Sequence, residues 1–200
     1  YNTTQNEFTF RFSPMTNQGQ ELWMGQTEVT YKLWKEVYDW ANANGYTIAS
    51  VGRVGSDDGF SDDHPVTSVC WCDALVWCNA LTEYYNTHNG DKPDYDYAYL
   101  SGSSPIRNSA LSNPAFDNVF FDTQATGFRL PTNEEWYAAA SYTSTPDNYA
   151  SGATADYRNE SANNIVAWYR ANSDMQTHPV SRKLPNSLGI YDMSGNVREI

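Results

Sequence analysis

The sequence predicts an α+β chain of short strands, three helices and long ordered loops, and three observations lead there. Glu7-Phe8-Thr9-Phe10-Arg11-Phe12 alternates with period two and puts aromatics on one face, the signature of a strand. Leu33, Val37, Trp40 and Ala41 recur at helical spacing, and Gly45 stands where a helix would stop. Tyr84 to Gln124, rich in Tyr, Asn, Ser and Pro, follows neither period and reads as short strands within a surface excursion.

The elements follow in order. Pro14 to Gly19 reads as a turn between the first strand and a second one that opens at Leu22-Trp23-Met24-Gly25. Thr30 is the expected N-cap of the first helix. Residues 46–64 form a loop with two acidic pairs, Asp57-Asp58 and Asp62-Asp63. These lack EF-hand spacing and read as a solvated loop. The second helix starts near Trp71 and buries Ala74, Leu75, Cys78 and Leu81. The third has the clearest start: Pro131 precedes it, Thr132 caps it and Glu135 completes a capping box, with Trp136, Ala139 and Ala140 facing inward. Thr143 to Asn164 reads as loop. Asn2-Thr3-Thr4 and Asn159-Glu160-Ser161 match the glycosylation sequon, a pattern common by chance.

Composition narrows the function classes. Two hundred residues with 40% hydrophobic and 18% charged side chains suit a single folded domain over residues 1–200. Twelve basic residues are scattered among 24 acidic ones, for a net charge of −12, which excludes a phosphate-binding surface and so nucleic acid; it also speaks against anionic lipid. No apolar run is long enough to span a bilayer. The chain begins at Tyr1 without a signal peptide and reads as a piece freed of its targeting segment, hence extracytoplasmic. The three cysteines, Cys70, Cys72 and Cys78, form neither a disulfide framework nor a zinc site and read as buried free thiols. Aromatics reach 15%, which fits either a core with ordinary surface or an aromatic recognition face.

The densest stretch runs from Thr177 to Ile200. Pro179 and Pro185 fix φ, while Gly189 and Gly195 admit positive φ. Asp192, Asn196 and Glu199 then space side-chain oxygens along a short loop. Carboxylate, amide and carbonyl oxygens together suit a hard cation such as calcium. The same residues also suit a tight turn in which Asp192 and Asn196 bond their own backbone.

Four blocks in order carry a resemblance: Met24-Gly25-Gln26-Thr27-Glu28-Val29-Thr30, Pro65 to Leu81, Gly127 to Tyr137, and Asn186 to Ile200. They resemble the sulfatase-modifying-factor family, founded on the formylglycine-generating enzyme, with its M-G-x-T-E-V-T, P-V-x-x-V-S-W-x-D-A, R-L-P-T-E-A-E-W and N-x-L-G-L-Y-D-M-x-G-N-V-W-E-W motifs. The resemblance implies a variant of the C-type lectin fold with an irregular antiparallel sheet. It implies a structural calcium ion held by the side chains of Asp192 and Glu199 and the carbonyls of Gly195 and Val197. A second ion is implied near Asn164, Ile165, Asn172 and Asp174. The family's oxidase uses a cysteine pair beyond the G-N-V-W-E-W motif, so no catalytic residue carries over onto this chain. Arg198 and Ile200 stand where the enzyme has tryptophans. His64, His88 and His178 do not form the H-x-x-x-H-x-E pattern of the iron-dependent branch and read as surface or turn residues.

The style of the chain resembles non-catalytic bacterial members, the retroelement-diversified variable proteins, which include a treponemal surface lipoprotein. That likeness implies a monomeric ligand-binding display protein of the bacterial cell surface. Its variable surface would lie in a chain continuing beyond residue 200, and its ligand would be a protein or a small molecule. The other reading is a formylglycine-generating-type oxidase acting on protein cysteine.

Overall fold

The computed structural model describes residues 12–17, 20–57, 60–90, 92–110, 114–143 and 149–200. The strand expected over Glu7 to Phe12 falls outside these except at Phe12, as do Asn2-Thr3-Thr4 and Asp58. Among the described residues the chain mixes four α-helices with small antiparallel sheets, the α+β class the periodicities predict. It divides into two compact units, one from residues 1–31, 53–67 and 131–199, the other chiefly from 32–52 and 68–130.

In the first unit, β1 (Phe12–Asn17) pairs antiparallel with β2 (Gln20–Gly25). The turn expected from Pro14 onward is therefore strand as far as Asn17, with Pro14 opposite Trp23. A two-stranded ribbon has only edges, so a proline there removes no necessary ladder bond. A second small ladder joins β3 (Arg53–Val54) to β4 (Val66–Thr67). The helix α3 (Asn133–Ser141) begins as its sequence predicts: the Thr132 hydroxyl accepts from the Glu135 N–H at 3.2 Å and the Glu135 carboxylate accepts from the Thr132 N–H at 2.8 Å. Ala139 and Ala140 of α3 bury against Met15, Ile190 and Met193, with Trp136 packed alongside.

The loop expected over Thr143 to Asn164 contains a helix the periodicity missed, α4 (Glu160–Val166). Seven residues are too few to display a 3.6 period. The start is signalled locally, by the Asn159 side chain accepting from the Ala162 N–H at 3.0 Å. Asp192 to Ile200 forms no strand; among the described residues its one ladder-like contact is a parallel bridge between Trp168 and Gly195.

The second unit holds α1 (Tyr31–Ala43) and α2 (Trp71–His88). The inward face of α1 uses Trp34 beside Leu33, Val37 and Ala41, and Trp34 stacks on Trp77 with ring centroids 5.3 Å apart. Helix α2 is buried nearly all round from Cys72 to Thr82, which explains why its apolar stripe is weak. Asn79, fully buried, donates to the carbonyls of Tyr99 at 2.7 Å and Ile106 at 3.1 Å and accepts from the Tyr99 N–H. It thereby fastens a three-stranded sheet in which β5 (Tyr99–Ser101) lies between β6 (Ser104–Pro105) and β7 (Phe120–Phe121). Gly127, which opens the third motif block, passes so close to Thr82 and the Asp96 carbonyl that a Cβ would lie 2.3 Å from the latter.

Candidate functional site

The loop from Asn186 to Glu199 is anchored before it does anything chemical. The Asn186 amide donates to the Ala139 carbonyl at 2.9 Å, and its oxygen accepts from the N–H groups of Leu188 and Ile190. Ile190 and Met193 insert into the cluster around Ala139. Between them Asp192 sits at φ 55 and is only 3% exposed. Its Oδ2 accepts from the Ser181 N–H at 2.7 Å, and its buried Oδ1 has no hydrogen-bond partner.

Asn196, also at positive φ, knits the loop to the chain around it. Its N–H donates to the Trp168 carbonyl at 2.9 Å, and its oxygen accepts from the His178 N–H at 2.8 Å. Its Nδ2 donates to the His178 carbonyl and, at 2.8 Å, to Oε2 of Glu28. Gly195 passes so near Trp168 that a Cβ would lie 1.9 Å from its carbonyl oxygen, so only glycine serves there.

Glu28 is the residue sequence reasoning missed. It was visible inside Met24-Gly25-Gln26-Thr27-Glu28-Val29-Thr30, but nothing local linked it to a loop 168 residues away. Burial, then the negative charge of Asp192 and that of Glu199, push its carboxyl up to about 9 against the opposing hydrogen bonds from Asn196 and the Val197 backbone. Its Oε1 is buried without a partner. Burial also raises Asp192, against the opposing Ser181 N–H and Lys183 charge. Glu199, whose carboxylate accepts from Trp136 Nε1, is raised by its crowded surroundings and by Asp192, although the residue as a whole is exposed.

The carboxylates of Glu28, Asp192 and Glu199 thus act on one another with the Lys183 charge opposing them only at Asp192, and two buried oxygens have no donor. That is the environment a hard cation relieves. Among the described residues no three acidic, His or Cys side chains converge tightly enough to hold an ion by themselves. Main-chain oxygens such as those of Gly195 and Val197 would have to share the task.

The second predicted set fits a cation poorly. The Asn164 side-chain oxygen accepts from Tyr169 Oη at 2.8 Å and Asn172 Nδ2 at 3.0 Å, and its carbonyl accepts from Lys183 Nζ at 2.6 Å. The Ile165 carbonyl accepts from the Leu184 N–H. Asp174 is exposed at φ 52 and shares none of these bonds. The chain's own ammonium, which also lies 3.7 Å over the Trp168 ring, supplies the positive charge at Asn164.

The histidines differ from one another. His88 is exposed, as expected. His64 is instead buried: it stacks on Phe60, and its Nδ1 lies 3.0 Å from Thr177 Oγ1, which also accepts from the Ser56 N–H. His178 stacks on Trp168 with centroids 3.6 Å apart. Beside these rings lies an open groove of about 470 Å³, lined among others by Trp168, Arg170, Met175, Thr177, Asn196 and Arg198. The thiols lie elsewhere, all at the start or in the first half of α2. Cys72 and Cys78 are buried, and burial pushes the Cys78 thiol up to about 12.

The profile of the family described as "Sulfatase-modifying factor enzyme 1-like domain" matches residues 2–200. A protein named chaperone protein LppX from Paenibacillus barcinonensis is 31% identical over 196 residues, covering 90% of this chain. The match spans 61% of that curated relative's length. The crystal structure of CarF superposes with a TM-score of 0.70 at 26% identity, over 95% of this chain and 77% of that one. Treponema denticola variable protein 1 superposes with a TM-score of 0.70 at 28% identity, over 100% of this chain and 74% of that one.

Proposed function

This chain belongs to the sulfatase-modifying factor enzyme 1-like domain family, and from that premise we propose that it is a non-enzymatic ligand-binding protein on the family's scaffold. The state of the thiols carries this reading. Oxidising a substrate cysteine through protein thiols requires thiolates that the substrate can reach. Cys70, expected to be buried, is only half-buried and has no second reachable thiol beside it; Cys72 and Cys78 are buried, and burial holds both above their ordinary range. They serve as small apolar packing groups of α2. The likeness to a protein named as variable supports binding, and the relative named as a chaperone supports a polypeptide as the ligand. The reading extends to an extracytoplasmic, cell-surface location and a monomeric chain.

Calcium belongs to the same proposal. Asp192 and Glu199, with the carbonyls of Gly195 and Val197, would hold the ion, and the unpartnered oxygens of Glu28 and Asp192 support its fit. Bound there, it supplies charge neutralisation and cross-links a loop to the chain around it. Asn196 orients Glu28 toward that task through its 2.8 Å hydrogen bond.

The family description, which names an enzyme, favours a second reading as a cysteine-oxidising enzyme. One experiment separates the two. Incubation with a C-x-P-x-R peptide, copper and oxygen is expected to leave the peptide thiol intact. Aldehyde in the mass spectrum, lost in Cys78→Ala, would establish the enzymatic reading instead.

A further inference from the structure

The groove beside the cation loop is where the chemistry of this chain is least accounted for. The chain carries a net charge of −12, yet among the described residues the only charged side chains lining the groove are Arg170 and Arg198. Neither arginine has an acidic partner among the described residues. Arg198 also occupies the position at which the family motif G-N-V-W-E-W places a tryptophan.

The groove's backbone points the same way. Asp174 and Met175, consecutive non-glycine residues, both adopt positive φ, 52 and 60. Two such residues in succession are disfavoured and persist only where the surroundings enforce them, a pattern that clusters at binding sites. The turn they form presents Met175 to solvent at 76% exposure. Methionine is an adaptable contact for apolar side chains. Opposite in character, the Trp168 wall is rigid: its ring is stacked on His178 and covered by the Lys183 ammonium. Asn196, held by Glu28 and His178, fixes the loop that delivers Arg198.

We propose that this groove binds an acidic peptide segment, its carboxylates held by Arg170 and Arg198 and a neighbouring apolar side chain resting on Met175 against the edge of Trp168. Guanidinium groups recognise carboxylates in a planar, two-pronged geometry. The groove is open and of a size for two or three side chains, which suits a chain segment better than an enclosed small molecule. A long polyanion or an anionic membrane would meet the surrounding negative charge, whereas a short segment engages only the local pair. This assignment rests on the ligand-binding reading and names its ligand.

The test uses the whole chain and three fluorescein-labelled pentapeptides followed by polarisation: Asp-Leu-Glu-Leu-Asp, Lys-Leu-Lys-Leu-Lys and Ser-Leu-Gln-Leu-Ser. The acidic peptide is expected to bind, more weakly as salt rises, and the other two are not. The double variant R170E/R198E should lose roughly tenfold or more of that affinity and gain the basic peptide. Met175→Ser should weaken the acidic peptide without changing the charge preference. Both are surface changes, and an unchanged thermal transition verifies the fold. Equal binding of the acidic peptide to wild type and R170E/R198E overturns the groove assignment. So does stronger binding to phosphatidylserine vesicles than to the peptide. A wider peptide array separates the two levels of the argument. Spots insensitive to R170E/R198E sink the groove and leave the ligand-binding reading standing; a blank array sinks both.

Discussion

His64 is a titratable group that the fold keeps neutral. Its ring is buried between Phe60 and Thr177, and burial, then the nearby His178, hold its pKa below the ordinary 6.5, against a weaker pull from Asp63. In the unfolded chain the same imidazole takes up a proton near 6.5, so below that pH the unfolded state binds more protons than the folded one. Stability contributed by His64 is therefore fully present above 6.5 and is lost as pH falls through the folded value. Because Glu28, raised to about 9, gains stability over the same fall in pH, the His64 contribution is read as a difference: from about pH 7.5 to about pH 5.5 the urea midpoint of the wild type should fall relative to that of His64→Gln. Parallel midpoint curves for the two proteins would assign the pH response to other groups.

At the scale of elements, helices in this chain are held by two different devices. Helix α3 depends on its cap, so Thr132→Ala should lower stability by about 1 kcal/mol. Helix α2 depends on a polar side chain at its centre. Asn79→Leu would keep the volume yet remove the side-chain acceptor of the Tyr99 N–H and the side-chain donor to the Ile106 carbonyl in a dry environment, while the Tyr99 carbonyl keeps its bond from the Ile106 N–H. Unsatisfied buried groups cost about 1–3 kcal/mol each, so the loss should exceed about 2 kcal/mol and be clearly the larger of the two. Chemical denaturation of both variants checks the ranking, and a Thr132→Ala loss equal to or greater than that of Asn79→Leu would contradict it.

For the molecule as a whole, a ligand that binds only the folded state raises stability by mass action, by about 2.7 kcal/mol at a hundredfold excess over Kd. Calorimetry of chelator-treated chain should show a higher melting temperature on adding calcium. Because the net charge is −12, any divalent cation also screens repulsion, so the decisive comparison is Asp192→Asn, which keeps the net charge within one unit. Loss of the calcium response in that variant locates the effect at the loop. An unchanged response would reduce it to general screening.

The sequence by itself determined the helices at Tyr31, Trp71 and Asn133, the stop at Gly45, and the family through four ordered motifs. These signals are local: caps, positive-φ glycines and helical spacing arise from sterics and hydrogen bonds within a few residues, and they can be read without knowing the fold. Local reading failed where the signal was too short, as in the seven residues of α4, or where the environment overrode propensity, as at Pro14 in a two-edged ribbon. The candidate site divides the same way. Asp192 and Glu199 were legible because the motif carries them together. Only the tertiary structure joined Glu28 to Asn196 across 168 residues, placed Lys183 on the Asn164 carbonyl, and buried His64 against Thr177. Such contacts are decided by packing, because which distant side chain fills a given buried space depends on how every intervening segment is accommodated.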